Sequence, residues 1–497
     1  MGLPNGSTRP RGLALRLPSI AYPSMSLSAD QQHVSPLLDT DGGISPSGLL
    51  LKGREILHQI LFGRSQQARD LRGAVTALAV RVAAAALVYL SQIVIVRLVG
   101  GFEYGIFAYV WVWLIILGQV ANLGFGLAVI RFVPEHIVRG ETDLARGAIR
   151  ASRGISLASG LVIASAGIAG VYLLGERIES HYIWPLYLML VCIPLMTLQH
   201  VEEGIARGFN WVNLALVPVY IVRVGLLLVF LAGAILLGAP ATAATAMAAG
   251  IGATFVSFVI QFVMIEKHRP GELPHGTTAY RLVPWTLIAL PLVIMDSSLL
   301  IQTHADLLVL NAFVTPDQLG IYYAAAKTIS LIGLINFAVT AVANQKFAAL
   351  NAAGNHDELG RFIRQTTKWT FWPAVAAAAG LLILGKPLLW LFSPEFTVGY
   401  TVMMILAVGH IAKAYSGQAE MCLSMIGHQK QAAIILIGTM VMNVAINITL
   451  IPIWGVNGAA IATVISLILQ SILLSAALKR LSGHQALLWV PGMGKAR

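Results

Sequence analysis

The stretch from Val96 to Phe132, VRLVGGFEYGIFAYVWVWLIILGQVANLGFGLAVIRF, decides the fold because a related stretch occurs again later in the chain. Residues 310–347 read LNAFVTPDQLGIYYAAAKTISLIGLINFAVTAVANQKF. At a spacing of 215 residues, Gly105 aligns with Gly320 and Phe132 aligns with Phe347. Each copy joins a polar loop to an apolar stretch of membrane-spanning length. This distant repeat predicts two homologous halves of one membrane bundle, since solenoid repeats recur about every 20–50 residues.

The composition places the chain in a membrane. Hydrophobic residues make up 57% of the chain and charged residues 11%, and the mean hydropathy is +0.77. A helix of roughly 20 apolar residues crosses a bilayer. We therefore predict an all-α polytopic membrane protein with twelve spans in two six-helix lobes, at 75–98, 104–128, 153–175, 182–204, 212–237, 241–264, 283–303, 318–343, 369–391, 399–425, 431–452 and 456–478.

The spans and the breaks between them divide the chain into five segments. Residues 1–72 are rich in Pro, Ser, Gly and charge, which predicts a cytoplasmic, largely disordered tail. Within the tail, residues 47–66 have the apolar spacing of an amphipathic helix, although a solvated tail explains them equally well. Met25 is an alternative start. We expect an N-terminal lobe at 73–264, a cytoplasmic linker at 265–282, a C-terminal lobe at 283–480 and a cytoplasmic tail at 481–497.

The basic residues sort by membrane side, which predicts the topology. Of the 33 Lys and Arg residues, 26 fall in the two tails and the even-numbered breaks, and the odd-numbered breaks hold only Arg97, Arg177 and Lys386. Under the positive-inside rule both termini are cytoplasmic. This distribution explains the net charge of +11 without nucleic acid as a partner.

Four cations interrupt the predicted spans, namely Arg81, Arg223, Lys327 and Lys413. A charge at the centre of a bilayer costs about 2.5–3.5 kcal/mol or more, so each needs a reason. One interpretation is a water-filled cationic cavity that attracts a phosphate or pyrophosphate headgroup. Gln92, Asp296 and Glu420 would be polar cavity or coupling residues beside them.

A structural interpretation of the same charges also stands. Asp296 could pair with Lys327, and Lys413 could pair with Glu420, because residues seven apart share a face of a helix. His200 and His410 could relay protons, but packed histidines are the simpler explanation.

The sequence offers no signal of catalysis. GLLILGK at 380–386 begins like a phosphate-binding loop, but it continues with Pro387 and lies inside an apolar span. Cys192 and Cys422 both lie in spans, which argues against a disulfide framework or a zinc site. We find no metal or nucleophile constellation and therefore predict a protein without enzymatic activity and without a cofactor.

Three stretches resemble a known family. VRLVGGFEYGIFAY…NLGFGLAVIRFVPE, DLLVLNAFVTPDQLGIYYAAAKTI at 306–329 and MNVAINITLIPIWGVNGAAIATVIS at 442–466 are similar to polysaccharide-transporter proteins. These are the oligosaccharide-lipid flippases of the multidrug/oligosaccharidyl-lipid/polysaccharide exporter superfamily. The resemblance covers residues 75 to 480.

The resemblance implies a V-shaped pair of lobes, with Arg81, Gln92 and Asp296 in or near the central cavity. It implies a flippase that moves a polyprenyl-pyrophosphate-linked oligosaccharide from the cytoplasmic to the periplasmic leaflet of the bacterial inner membrane, for O-antigen, exopolysaccharide or capsule synthesis. Alternating access would be driven by H⁺ or Na⁺, with a polymerase or export machinery as a further partner.

Other functions stay open on the sequence. A cation-coupled multidrug antiporter of the same superfamily would need a carboxylate in the N-terminal lobe. The first three predicted spans lack a central acid, and the first carries Arg81 instead. A flippase for the peptidoglycan precursor would be expected to have two further C-terminal spans. A membrane scaffold for glycan-assembly enzymes would not need buried cations.

Overall fold

The computed structural model describes residues 66–483. Side chains are described from residue 80 onward, except those of residues 81, 270, 272, 299, 341, 342 and 345. The expected amphipathic helix and most of both expected tails lie outside the described residues. The chain divides into compact units at Arg69 and Asp70, and every contact below lies in the unit that begins at Asp70.

The predicted all-helical class is confirmed, since every regular element within residues 66–483 is helical. We call residues 73–264 the first half. Eight α-helices lie in it, of which the first begins before residue 73 and the last ends after residue 264. A π-helical turn, Pro218–Val222, links the sixth helix to the seventh. The helices are α1 Gln66–Val99, α2 Gly101–Ala121, α3 Phe125–Val138, α4 Thr142–Leu174, α5 Ser180–Gly208, α6 Val212–Val217, α7 Arg223–Leu236 and α8 Ala243–Glu272.

The second half, residues 283–480, repeats this pattern of long helices with short breaks. A 3₁₀ turn, Pro394–Gly399, precedes α14. The helices are α9 Leu282–Leu310, α10 Pro316–Ser330, α11 Gly333–Ala352, α12 His356–Ile383, α13 Gly385–Trp390, α14 Tyr400–Tyr415, α15 Ala419–Met425 and α16 Gln429–Ser482.

Several boundaries differ from the predicted spans. The second predicted span is broken after Ala121, because Gly124 adopts a left-handed conformation (φ 78°) that a side chain disfavours. Helix α8 continues to Glu272, so residues 265–272 of the expected linker are helical. Helix α16 joins two predicted spans across a kink at Gly455, and α9 bends by 47° between Ser298 and Leu300.

Nine helices within the described residues are long and apolar enough to cross a membrane, or ten when bent α9 is counted as one span. The chain is therefore a multi-pass membrane protein. The count of twelve spans and the side on which the termini lie stay predictions.

Helix α2 occupies the centre of the packing. Its residues are apolar on all sides, and most of them are buried, including Tyr104, Gly105, Ile106 and Leu114. In the first half α2 packs against α5, and across the halves it packs against α10 and α9. Helix α9 in turn packs against α2 and α3 of the first half and against α16 of the second half.

These contacts give the bundle two distinguishable ends. The glycine end is defined by Gly101, Gly105, Pro316 and Gly320, where α2 and α10 begin side by side. The basic end is defined by the opposite termini of the helices, at residues 138–146, 205–212, 350–358 and 425–430. At the basic end Trp285 of α9 lies 5.9 Å from Phe132 and 6.0 Å from His136 between ring centroids.

Candidate functional site

Two adjoining cavities of about 300 Å³ and 270 Å³ lie inside the second half. Such volumes are at the lower end of those that hold small organic ligands. The residues that line both cavities are Gly333, Asn336, Lys413, Glu420 and Gln470. The two spaces therefore meet at Lys413 and Glu420. A polar interior of this size in an apolar helix bundle is a candidate binding site.

Lys327 lines the larger cavity from the last turn of α10. Pro316 begins this helix at a position where its missing N–H is not needed. A cation near the end of the helix interacts favourably with the helix dipole, which helps to hold Lys327 in the bundle. Its ammonium lies 5.0 Å from the ring centroid of Tyr323.

Lys413 and Glu420 reach the cavities from two different helices. We expected them to share a face of one helix, but this was wrong because α14 ends at Tyr415 and α15 begins at Ala419. The break places Lys413 in a last turn and Glu420 in a first turn, where the helix dipoles favour their respective charges. Among the described residues, neither Lys327 nor Lys413 has a carboxylate within 4.0 Å.

The wall of the smaller cavity is a hydrogen-bonded amide cluster around Gln418. Its Nε2 donates to Asn336 Oδ1 at 2.8 Å, and its Oε1 accepts from Thr340 Oγ1 at 2.7 Å. Because both ends of the amide are satisfied, the side chain is fixed in one orientation. The interruption between α14 and α15 is therefore tied to α11.

Further polar residues that line the cavity were missing from the sequence-based site, among them Gln302, His304, Asp306 and Gln470. Gln302 Nε2 donates to Gln470 Oε1 at 3.0 Å. The Asp306 carboxylate accepts hydrogen bonds from Leu307 N at 2.8 Å and from the Tyr322 hydroxyl. A signal was available in the sequence, since Gln302 and Asp306 lie four residues apart in an apolar span and so share a helix face.

Arg223 lies apart from these cavities, in the first half. Its Nη1 donates to Gln199 Oε1 at 3.0 Å and lies 3.0 Å from Met196 Sδ. Its Nε is buried and has no hydrogen-bond partner among the described residues. Gln199 Nε2 donates a hydrogen bond to Ser257 Oγ at 2.8 Å. The Ser257 hydroxyl in turn donates one to the Pro218 carbonyl in the π-helical turn. The guanidinium is thus held by neutral groups.

Gln92 and Asp296 each make a contact of their own. Gln92 Oε1 accepts a hydrogen bond from the Tyr104 hydroxyl at 3.1 Å. The Asp296 carboxylate accepts a hydrogen bond from Gln119 Nε2. It does not form the ion pair with Lys327 that the structural interpretation suggested. Arg81 belongs to α1, and its side chain is one of those that the structure does not describe. The structure thus brings Lys327, Lys413 and Glu420 together but leaves Arg223, Gln92 and Asp296 at separate places.

The cavity has the chemistry of an anion site with polar walls. Among the described residues, the ammoniums of Lys327 and Lys413 have no carboxylate within 4.0 Å, whereas the Asp306 carboxylate accepts hydrogen bonds from a tyrosine and a backbone N–H. Two cations that line a cavity in an apolar helix bundle attract an anion more strongly than they would in bulk water. The amides and tyrosines can bind hydroxyl groups.

Comparison with known proteins identifies one family. The family model described as "Polysaccharide biosynthesis protein" matches residues 71–343, which is more than half of the chain. A "Probable flippase AglR" of Haloferax volcanii is 30% identical over 184 residues, covering 35% of this chain and 37% of the relative. A "Probable low-salt glycan biosynthesis flippase Agl15" of the same organism is 23% identical over 172 residues, covering 34% and 36%. The chain thus spans a little over a third of the length of the curated relatives it matches.

Solved transporter structures share the fold. A multidrug resistance MATE family transporter of the MOP superfamily in an inward-facing conformation matches with a TM-score of 0.68 and 17% identity, covering 80% of this chain and 96% of the other. A MOP superfamily transporter from Pyrococcus furiosus, whose title notes the reverse polarity of its binding pocket, matches with a TM-score of 0.60 and 17% identity, covering 86% and 97%. The predicted MATE-like fold is confirmed.

Proposed function

Because the chain belongs to the polysaccharide biosynthesis protein family, we propose that it is a flippase for a polyprenyl-pyrophosphate-linked oligosaccharide. The lipid-linked glycan would pass from the cytoplasmic to the external leaflet to supply the synthesis of a surface polysaccharide such as O-antigen, exopolysaccharide or capsule. The flippase names of the two Haloferax volcanii relatives support a lipid-linked glycan as the substrate class. They also agree with the expectation that the chain is not an enzyme.

The observation that carries the proposal is the pair of lysines in the cavity of the second half. Lys327 and Lys413 lie within predicted membrane spans, where a charge is costly, and neither forms an ion pair within 4.0 Å among the described residues. A pyrophosphate would supply the missing counter-charge and accept several charge-assisted hydrogen bonds. Glu420, the amides and the tyrosines would then contact the sugar, while the polyprenyl chain stays in the bilayer. Arg81 and Arg223 remain candidates for a second cationic contact.

The packing between the halves supports alternating access. At the glycine end α2 and α10 contact each other through their backbones. Away from that end, within the described residues, the extensive contact between the halves runs through α9, where a Cβ built on Gly124 would lie 2.1 Å from the Ala289 carbonyl oxygen. The positive-inside rule assigns the basic end to the cytoplasm. In that orientation the arrangement suits the uptake of a substrate from the cytoplasmic leaflet.

The cellular setting of the proposal follows from the carrier. We assign the protein to the plasma membrane, the bacterial inner membrane, as a multi-pass protein with twelve spans and both termini in the cytoplasm. Two homologous lobes, 73–264 and 283–480, would rock against each other, driven by an H⁺ or Na⁺ gradient. A polysaccharide polymerase or export machinery would receive the product, and neither nucleic acid nor a cofactor is required.

The experiment that tests the function is leaflet-specific labelling of lipid-linked oligosaccharide in cells that lack the protein. We expect the glycan to accumulate at the cytoplasmic leaflet, with recovery on re-expression of the wild type but not of the Lys327→Gln/Lys413→Gln double variant. Normal glycan location together with heightened sensitivity to cationic drugs would overturn the flippase in favour of a multidrug antiporter.

A further inference from the structure

The repeat-related glycines of the two halves meet each other at the glycine end. A Cβ atom built on Gly105 would lie 1.8 Å from the carbonyl oxygen of Pro316, and one built on Gly320 would lie 3.0 Å from the carbonyl oxygen of Gly101. Gly101 and Pro316 are themselves related by the repeat spacing of 215 residues. Each glycine therefore contacts the equivalent carbonyl of the other half, as in an isologous interface between two subunits. We call these four residues the glycine crossing.

The two glycines of the glycine crossing face equivalent carbonyls, but Gly105 lies closer to its carbonyl than Gly320 does. At Gly105 any side chain would overlap backbone atoms of Pro316, including its carbonyl carbon at 2.6 Å. At Gly320 the nearest atoms are at 3.0–3.3 Å, so a methyl group needs a shift of only a few tenths of an ångström. Small residues allow helices in a bilayer to approach to backbone contact. The approach here depends chiefly on Gly105.

Side chains from both halves surround the glycine crossing and hold it closed. Arg97, at the end of α1, donates from Nε to the Leu391 carbonyl at 2.8 Å and from Nη2 to the Trp390 carbonyl at 2.9 Å. These carbonyls belong to the end of α13, where helical partners run out. Tyr182 donates to Asn311 Oδ1 at 2.5 Å. Each of these contacts joins one half to the other.

Tyr104 seals the space behind the crossing. It is fully buried, and its ring lies 6.1 Å from that of Tyr323 and 6.2 Å from that of Phe396, measured between centroids. Its hydroxyl donates to Gln92. Packed aromatic side chains leave no room for a polar substrate to pass at this end. The glycine end is therefore shut by backbone contact and by a buried aromatic cluster.

We propose that the glycine crossing is the gate of the transport cycle, in which direct contact of Gly105 with the Pro316 carbonyl stabilises the form closed at the glycine end. The proposal rests on the proposed function in that a gate requires a transporter. A side chain at Gly105 destabilises the closed form only, because in the open form the two backbones have separated. Substitution at this position therefore shifts the population toward the form open at the glycine end.

The test measures two distances in purified full-length protein in lipid nanodiscs, without substrate. The native cysteines are first removed by Cys192→Ala and Cys422→Ala. Spin labels at the glycine end are then attached through Trp184→Cys and Val398→Cys, which replace exposed residues. In a second protein, labels at the basic end are attached through Val138→Cys and Ala353→Cys, which also replace exposed residues. Electron–electron double resonance reports each distance. The variants are Gly105→Ala, Gly320→Ala and Arg97→Gln, with Gly225→Ala as the matched control because nothing lies within 4 Å of its added methyl group.

In Gly105→Ala the main distance at the glycine end should lengthen while that at the basic end shortens. Gly320→Ala and Arg97→Gln should give smaller shifts in the same direction, and Gly225→Ala none. Unchanged distances in Gly105→Ala would overturn the gate. Broader distance distributions at both ends, without a lengthening at one end and a shortening at the other, would also overturn the gate, since they indicate loosened packing. If Gly105→Ala fails to fold, the presence or absence of the reciprocal shift in Arg97→Gln decides whether the gate proposal holds. Because no glycan is present, these results are independent of the leaflet assay.

Discussion

The carboxylate of Asp296 on α9 accepts a hydrogen bond from the side-chain amide of Gln119 on α2, which joins the two halves near the middle of the bundle. Gln119 is 5% exposed and Asp296 is half-buried, so this bond is partly shielded from water. Helix α9 bends a few residues farther on, between Ser298 and Leu300. The bond therefore fixes the part of α9 that packs against the first half.

Replacing Asp296 with leucine should destabilise this docking. The buried Gln119 amide loses its acceptor, and a hydrogen bond between membrane helices contributes about 0.6–2 kcal/mol. Asp296→Asn keeps an acceptor of the same shape and is the matched control. Thermal unfolding in detergent should show a clear loss for Asp296→Leu and a smaller one for Asp296→Asn. Equal stability of the two variants would show that the bond contributes nothing.

Neutralising the cavity lysines should impair transport without unfolding the protein. Each lysine would make a charge-assisted hydrogen bond to the pyrophosphate, worth about 1.5–3 kcal/mol. Lys327→Gln and Lys413→Gln should therefore each lower the transport rate roughly ten- to a hundredfold. Lys430→Gln is the control, because Lys430 lies at the basic end and lines neither cavity. Wild-type rates in both cavity variants, at equal membrane levels, would remove the lysines from the substrate site.

The contact between Arg223 and Gln199 predicts a coupling energy. The buried Gln199 side chain accepts a hydrogen bond from the Arg223 guanidinium at Oε1, so Gln199→Leu should cost about 1–3 kcal/mol of stability. The same substitution in an Arg223→Leu background should cost less, since no guanidinium is left to satisfy. A double-mutant cycle of unfolding free energies measures the difference. Additive effects would mean that the two side chains do not interact energetically.

A buried ion cluster in the first half predicts a larger loss. Arg153 contacts both oxygens of Glu202 at 2.7 Å and Glu266 Oε1 at 2.7 Å, and the Glu202 side chain is 0% exposed. Arg153→Leu leaves a buried carboxylate without its cation, which costs about 3–5 kcal/mol.

The matched control for this cluster is Arg139→Leu. Arg139 pairs with Glu135 at 2.8 Å, but its side chain is 53% exposed, so the loss should stay below about 1 kcal/mol. Chemical unfolding of both variants in detergent compares them directly. Similar losses for Arg139→Leu and Arg153→Leu would contradict the assigned importance of burial.

Much of the candidate site was readable from the sequence, but its grouping was not. Lys327, Lys413 and Glu420 stood out as charges in apolar spans, and they line one connected pair of cavities. Arg223 stood out for the same reason, yet it lies among neutral groups in the first half. Charge in a span signals that a partner is needed, and it carries no information about which helix supplies that partner.

Helix breaks explain another part of the difference. Lys413 and Glu420 were expected on one helix face, but the interruption after Tyr415 gives each its own helix end. Spans of high hydropathy lack the capping residues that mark helix ends in soluble proteins, so such interruptions are hard to read. For Asp306 the spacing from Gln302 was visible, but its bond to Tyr322 on the next helix was not.

The sequence by itself determined that the chain is an all-helical membrane protein built from a repeat, because insertion into a bilayer depends on the local, additive hydropathy of each segment. It also determined the family, through residues that recur in order along the chain. Only the tertiary structure decided that Gly105 meets the Pro316 carbonyl and that Asp296 meets Gln119. Helices that are apolar on all sides show no amphipathic face, so their rotation and their neighbours are set by the packing of side chains that are far apart in the chain.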